Sequence, residues 1–297
     1  MASPLGAHNR NADTSLRERI VLRPDERLDA VLAVIRSARK RLILSLFRCN
    51  EARVLEELAE ALRRGARVEV LLTPRAKRWK QRLQEIWNQL EVMGAKVHRY
   101  ADPVVKYHAK YIVADDQVAL VGSLNFTRKC FKKTCDFIQI TRDPQVIAGL
   151  QRIFERDCGA EPLPANLSER LIVGPEKARG QLTRLLSGAE RSIQIVDAKV
   201  TDPELVDFLR RRKADGIEVD VVARKKVAGL RSHGKLLLID RRIAVIGSMA
   251  LSALSLEFRR ELALVIDDPR CIEQLNALYH TIAEEPGPNI AGREPGR

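Results

Sequence analysis

Five residues recur in this chain at one internal spacing: His108, Lys110, Asp115, Gly122 and Ser123, then His233, Lys235, Asp240, Gly247 and Ser248. An acidic residue follows each serine by 13 positions, Asp136 in the first copy and Glu261 in the second. The protein has five histidines, and two of them head these signatures. A neutral imidazole can attack phosphorus and form a phosphohistidine, splitting one hard displacement into two easier ones. A second, protonated imidazole can donate to the leaving oxygen and then activate water or an alcohol. Lys110 and Lys235 would neutralise nonbridging phosphate oxygens, an effect that grows where water is excluded, and Asn125 would add a neutral donor. A carboxylate on each ring's second nitrogen would fix tautomer and orientation, the task expected of Asp136 and Glu261. This chemistry needs no metal and no cofactor. One HxK pair would be incidental; five positions matched twice, with an acid at matched distance, are not.

The positioning elements repeat as well. His108 and Lys110 are two apart, so on a strand they share a face. Residues 115–117 form a turn, and VALVGS returns as the next strand; SHGKLLLID and IAVIGS do the same in the second copy. Each signature therefore reads as a hairpin with its polar groups at one end. Asp115 and Asp240 read as turn or ion-pair residues supporting it. Asp136 and Glu261 open the strands DFIQI and ELALVI, from which each is expected to reach the imidazole of the adjacent strand.

Upstream, a helix over 28–39, the strand LILSLF, a helix ending at Gly65 and the strand VEVLL are matched by a helix at 177–187, SIQIVDA, a helix ending at Gly216 and VDVVA. Strands alternating with helices predict an α/β fold with parallel pairing. Gly65 and His108 are 43 residues apart, Gly216 and His233 only 17, so the first half carries an extra segment. It reads as a basic helix and a strand. Trp79, Leu83, Ile86 and Leu90 face the core on one reading; on another, Arg75, Lys77, Arg78, Lys80 and Arg82 form a substrate-binding ridge, with Trp79 free to stack or to meet a membrane. The expected divisions are a disordered segment 1–19, a first domain 20–158, a linker 159–170 around two prolines, a second domain 171–285 and a disordered tail 286–297.

A net charge of +13 points to an anionic partner: nucleic acid, an acidic membrane surface or a substrate phosphate. The five cysteines are scattered without zinc-binding spacing and read as reduced thiols of a cytoplasmic protein. No apolar run is long enough for a transmembrane helix, and the N-terminus lacks the pattern of a secretory signal.

HAKYIVADDQVALVGSLN and HGKLLLIDRRIAVIGS resemble the paired HxKxxxxDxxxxxxGS signatures of the phospholipase D superfamily, across roughly residues 25–285. The resemblance implies two similar α/β sandwich domains with mixed β-sheets, related by a pseudo-twofold axis, with one active site at their interface and the chain a monomer with an internal pseudo-dimer. It implies hydrolysis or transfer at phosphodiesters through a phosphohistidine, with His108 the nucleophile and His233 the general acid. Lys110, Lys235, Ser123, Ser248 and Asn125 would hold phosphate. One position departs from the pattern: the second copy reads GSMA, with Ala250 where an asparagine is expected.

A phospholipid-directed phosphodiesterase or phosphatidyltransferase is the expected function, with peripheral contact at the inner membrane face through the basic, Trp-bearing insert. A metal-independent nuclease of the same superfamily is the alternative, with residues 128–133, Arg224, Lys225 and Lys226 as phosphate contacts. A phosphate-binding pseudoenzyme is a third reading, motivated by Ala250 alone. Both His/Lys pairs being intact argues against it.

Overall fold

Buried runs of Val, Ile and Leu alternate with amphipathic helices along the chain. The computed structural model, which describes residues 17–285 except 101, 160, 161, 164 and 228, sorts them into two like halves. The first half runs β1 (Glu18–Val21), α1 (Pro24–Ser37), β2 (Arg41–Leu46), α2 (Ala52–Arg63), β3 (Arg67–Leu72), α3 (Lys80–Val92), β4 (Lys96–Arg99), β5 (Lys106–Tyr107), β6 (Tyr111–Ala114), β7 (Val118–Gly122), α4 (Arg128–Lys133), β8 (Thr134–Cys135), β9 (Ile138–Thr141) and α5 (Pro144–Gly159). The second runs β10 (Leu171–Val173), α6 (Ala178–Ser187), β11 (Ser192–Val196), α7 (Pro203–Ala214), β12 (Glu218–Val222), β13 (Lys226–Val227), β14 (Leu230–Ser232), β15 (Lys235–Ile239), β16 (Ile243–Gly247), α8 (Ala253–Phe258), β17 (Arg259–Arg260), β18 (Leu262–Ile266) and α9 (Pro269–Glu284).

Local chemistry explains the helix limits. Helix α1 opens on Pro24, which surrenders no needed N–H, and places Asp25 and Glu26 in its first turn against the positive end of the dipole. Helices α7 and α9 each start with an aspartate cap followed by proline; Asp202 accepts the Leu205 N–H at 3.0 Å and Asp268 that of Cys271 at 3.0 Å. Helices α2 and α7 both stop just before a glycine at positive φ, Gly65 and Gly216.

The sheets share one strand order. The first reads β1-β9-β7-β6-β2-β3-β4 and the second β10-β18-β16-β15-β11-β12, so β4, from the extra segment, is the added edge. Within these two sheets parallel pairing is confined to β2·β3, β3·β4 and β11·β12, the strands joined through helices. The other pairs in these sheets are antiparallel, and two of them, β6·β7 and β15·β16, are joined by tight hairpins, which connect strands only that way. Each half is thus mixed rather than wholly parallel.

One face of the first sheet is covered by α1, α2 and α3, where Leu83, Ile86 and Leu90 are buried and Trp79 is partly so. The opposite face meets Val146, Leu150 and Phe154 of α5 in a cluster that also takes Leu171, Val173, Leu262 and Leu264 from the second half. Under α9, Leu275, Tyr279 and Ile282 pack with Ile20, Cys135 and Phe137 of the first half. The two halves therefore share apolar interiors.

The division at residue 19 needs correction. Glu18 and Arg19 belong to β1, which pairs with β9, and the Glu18 carboxylate accepts from Gln139 at 2.6 Å, Thr141 at 2.7 Å and Arg170 at 2.8 Å. A four-residue strand held by one buried acid is too short to show alternation in the sequence. The rest of the expected disorder, up to residue 16 and from residue 286, lies outside the described residues.

Candidate active site

Two pairs of very short strands decide how the site is assembled. Strand β5 leads into His108 and pairs in parallel with β17, which leads into Glu261; β14 leads into His233 and pairs in parallel with β8, which leads into Asp136. Each half lends a strand to the other immediately before a functional residue. As a result Glu261 Oε2 lies 2.9 Å from His108 Nδ1, and Asp136 Oδ1 lies 2.7 Å from His233 Nδ1. The expectation that each acid reaches an imidazole on the adjacent strand is corrected: each serves the imidazole of the opposite half. The acids precede β18 and β9 rather than opening them, and at that point the backbone is held by the opposite half. Reciprocal exchange of this kind is what a twofold relation between like halves produces.

Burial drives the His108 imidazole down to about 3, against the pull of Glu261 and with help from nearby Lys110 and Arg259. The ring is neutral at pH 7, so Nδ1–H donates to Glu261 and Nε2 keeps its lone pair. Burial would raise the Glu261 carboxyl, but His108 and Lys110 outweigh it and hold it at about 2. Asp136 is likewise fully buried yet kept below the ordinary carboxylate range by His233, Ser123 and Thr134. Burial brings the Lys110 ammonium down to about 7, opposed by Glu261 and reinforced by Lys235.

Both imidazoles line one cavity of about 990 Å³, with Asn125, Lys235, Ser248 and Ala250 also in its wall. Among the described residues its lining holds nine lysines and arginines and one carboxylate, Asp197. Asn125 is almost fully buried, and its side-chain oxygen has no partner among the described residues. Lys110 and Lys235 donate to the carbonyls of His108 and His233.

Ser123 sits differently from expectation. Its hydroxyl donates to Asp136 Oδ1 at 2.6 Å and accepts the Phe137 N–H at 2.9 Å, so it orients a carboxylate and does not line the cavity. Ser248 does line it. Gly247 has a backbone reason to be glycine: a Cβ there would meet the Leu262 carbonyl at 2.2 Å.

Asp115 and Asp240 stand away from the cavity at matched left-handed turns, φ 52° in both. The Asp115 carboxylate accepts the N–H groups of Arg39, Lys40 and Arg41, and Asp240 those of Glu190, Arg191 and Ser192. They pin the helix-to-strand loop against the hairpin and touch neither histidine.

Several participants had no sequence signal of their own. Phe47 meets the His108 ring edge-on at 4.6 Å between centroids, and Lys110 Nζ lies 5.3 Å from the Phe47 centroid. Ser255 donates to Glu261 Oε1 at 3.0 Å and Thr134 to Asp136 Oδ2. At the repeat spacing Thr134 corresponds to Arg259 and Ser255 to Cys130, so repetition gives neither hydroxyl a signal. From the basic insert, Arg75, Lys77 and Trp79 reach the cavity, and the guanidinium groups of Arg48 and Arg82 lie 5.4 Å from the Trp79 ring centroid. Lys129 reaches it from α4. Arg224 does not, because its guanidinium caps the C-terminal carbonyls of α9 at Ile282 and Glu285. Among the described residues, Cys130, Asp136 and His233 are the grouping with metal-site spacing, their ligand atoms within 4.8 Å of one another; two of the three are already hydrogen-bonded together.

The model of the family described as cardiolipin synthase, PLD-like domain, matches residues 31–158 and 223–282, more than half of the chain. No curated protein matches it in sequence. Among solved structures, a polyphosphate kinase from Porphyromonas gingivalis is similar with a TM-score of 0.74 and 18% identity, over 89% of this chain and 46% of that one. The chain thus spans about half the length of that kinase. A phosphatidylserine synthase from Haemophilus influenzae Rd KW20 is similar with a TM-score of 0.71 and 10% identity, over 90% of this chain and 86% of that one. At such identities these two likenesses speak for the fold, two mixed α/β units of phospholipase D type. Fold, paired signatures and family match agree: the chain belongs to the family of the cardiolipin synthase PLD-like domain.

Proposed function

We propose that the protein is a phosphodiesterase of phospholipase D type, hydrolysing or transferring at the phosphodiester of phospholipids through a phosphohistidine on His108. One observation carries the mechanism: two imidazoles, each oriented by a carboxylate of the other half, face one cation-lined cavity. His108 Nε2 attacks phosphorus, and the bond to the leaving oxygen breaks as His233 Nε2–H gives that oxygen its proton. Positive charge on the phosphorylated His108 ring is stabilised through Nδ1–H by Glu261. Water or an alcohol then loses its proton to His233 as its oxygen attacks phosphorus, and the P–N bond breaks. Lys235 and Asn125, at the wall, meet the nonbridging oxygens, while buried Lys110 adds positive potential beneath them.

The family match supports a lipid substrate, and so does the edge of the site. Helix α8, directly before cavity-lining Arg259, half-exposes Leu254 and Phe258, four residues apart; the corresponding residues of α4 are Lys129 and Lys133. Apolar groups on one side and cations on the other suit the boundary of an anionic bilayer. No helix among the described residues is long and apolar enough to cross a membrane, so the contact proposed is peripheral. The test is headgroup release or exchange from labelled anionic vesicles with chelator present, lost in His108→Ala and His233→Ala. A protein inert on every vesicle would refute the lipid assignment.

A nuclease is the second reading, favoured by the excess of cations in the cavity. Chelator-resistant cutting of single-stranded DNA or RNA in the same screen would establish it in place of the first. Covalent phosphate on His108 from either substrate would exclude a binding protein without turnover.

A further inference from the structure

The two copies of the signature stay in register, 125 residues apart, from His108 and His233 through Asp136 and Glu261. At that offset Asn125 corresponds to Ala250, Cys130 to Ser255 and Thr134 to Arg259. The second half has lost a neutral phosphate donor at one position and gained a guanidinium at another, and both positions lie in the cavity wall beside Ser248. We propose that Arg259 is the phosphate-contacting residue of the second half, supplying the donors that Ala250 lacks. This rests on the reading of the cavity as a phosphodiester site.

Three observations support it. Arg259 keeps only 25% of its side chain exposed, and its one ionic neighbour, Glu261 Oε1, is 3.7 Å from Nη1, beyond hydrogen-bond length. Its side-chain N–H groups make no hydrogen bond among the described residues, whereas neighbouring Arg260 is committed to Gly174 and Glu176. The Glu261 carboxylate has other donors, His108 and Ser255, so Arg259 is not needed to satisfy it. A guanidinium held at a cavity wall with free donors can clamp two phosphate oxygens at once, which a lone carboxamide cannot.

The test uses the full chain with Arg259→Ala, Arg259→Lys, Ala250→Asn and the Ala250→Asn/Arg259→Ala double variant, each shown to fold by its thermal transition. Binding of tungstate, a stable phosphate mimic, is measured by calorimetry alongside kcat/KM on the substrate the activity screen identifies. Arg259→Ala is expected to weaken tungstate about 10- to 100-fold, with Arg259→Lys between it and wild type. Ala250→Asn in the Arg259→Ala background is expected to recover about tenfold of the loss in both readouts. Unchanged tungstate affinity in Arg259→Ala overturns the proposal. So does failure of Ala250→Asn to rescue accompanied by an acid limb of kcat/KM that moves towards neutrality, since Arg259 would then act only by position, through His108. Tungstate binding needs no turnover, so an inactive wild type refutes the enzymatic reading while still testing Arg259.

Discussion

The half-sites around His108 and His233 share their skeleton and differ in their polar shells. Each has an imidazole bonded through Nδ1 to a fully buried carboxylate from the opposite half. Around Asp136 the supporting donors are two hydroxyls, Ser123 and Thr134; around Glu261 there is one hydroxyl, Ser255, and the Arg259 guanidinium stands 3.7 Å away, beyond hydrogen-bond length. The His233 side chain keeps 28% exposure and that of His108 16%. Geometry is thus duplicated while electrostatics is not, which is how two identical side chains can take up different jobs in one reaction.

The sharpest way to break this comparison is to remove each imidazole. His108→Ala is expected to cost at least ~10⁴-fold in turnover on every substrate, because no nucleophile remains. His233→Ala should cost as much with an alkoxide leaving group but recover most phosphoenzyme formation when the leaving group is p-nitrophenolate, which needs no proton. Equal recovery in both variants, measured by rapid quench, would erase the division of labour. Next in size come the carboxylates, at about 10²- to 10⁴-fold each. Asp136→Asn should behave as a His233 lesion and Glu261→Gln as a His108 lesion, crosswise to their places in the chain. A profile in which each acid follows the histidine of its own half would contradict the exchange.

A third test uses stability. Arg260 is buried between Asp157, at 3.1 Å, and Glu176, at 2.6 Å, tying α5 of the first half to the second just before Glu261; at the repeat offset its counterpart is Cys135. Arg260→Met leaves buried Asp157 with Arg156, at 2.9 Å, as its remaining cation and should cost about 3 kcal/mol, the low end for breaking a buried ion pair, read from denaturant unfolding. Cys135→Ala should cost less, about 1–2 kcal/mol. The smallest effect concerns pH. With Lys110 at about 7, kcat/KM should fall about tenfold per unit above neutrality as the ammonium loses its proton. Lys235→Met should move that limb to higher pH, because removing a neighbouring cation favours protonated Lys110.

Periodicity and repetition made most of the framework legible. The helices ending at Gly65 and Gly216, the flanking strands and the hairpins after Lys110 and Lys235 all follow from apolar spacing and turn residues. What stayed hidden was the swap of Asp136 and Glu261. It depends on β5, β8, β14 and β17, strands of two or three residues that carry no readable alternation and pair across halves. The family resemblance implies a phosphate role for Ser123; only the fold shows its hydroxyl spent on Asp136. Phe47 lay outside the signatures altogether, and nothing in its spacing marks it as the neighbour of His108.

Because Asp136 and Glu261 each serve an imidazole more than 90 residues away, a polypeptide cut near residue 165 would yield two fragments that each carry a histidine and a misplaced acid. Such a fragment would regain its missing group only by associating with a second one, and in a pair of identical fragments any substitution appears twice. Covalent tandem linkage removes that constraint. One copy can exchange its asparagine for alanine, or take on a tryptophan-bearing insertion, while its twin keeps the older arrangement.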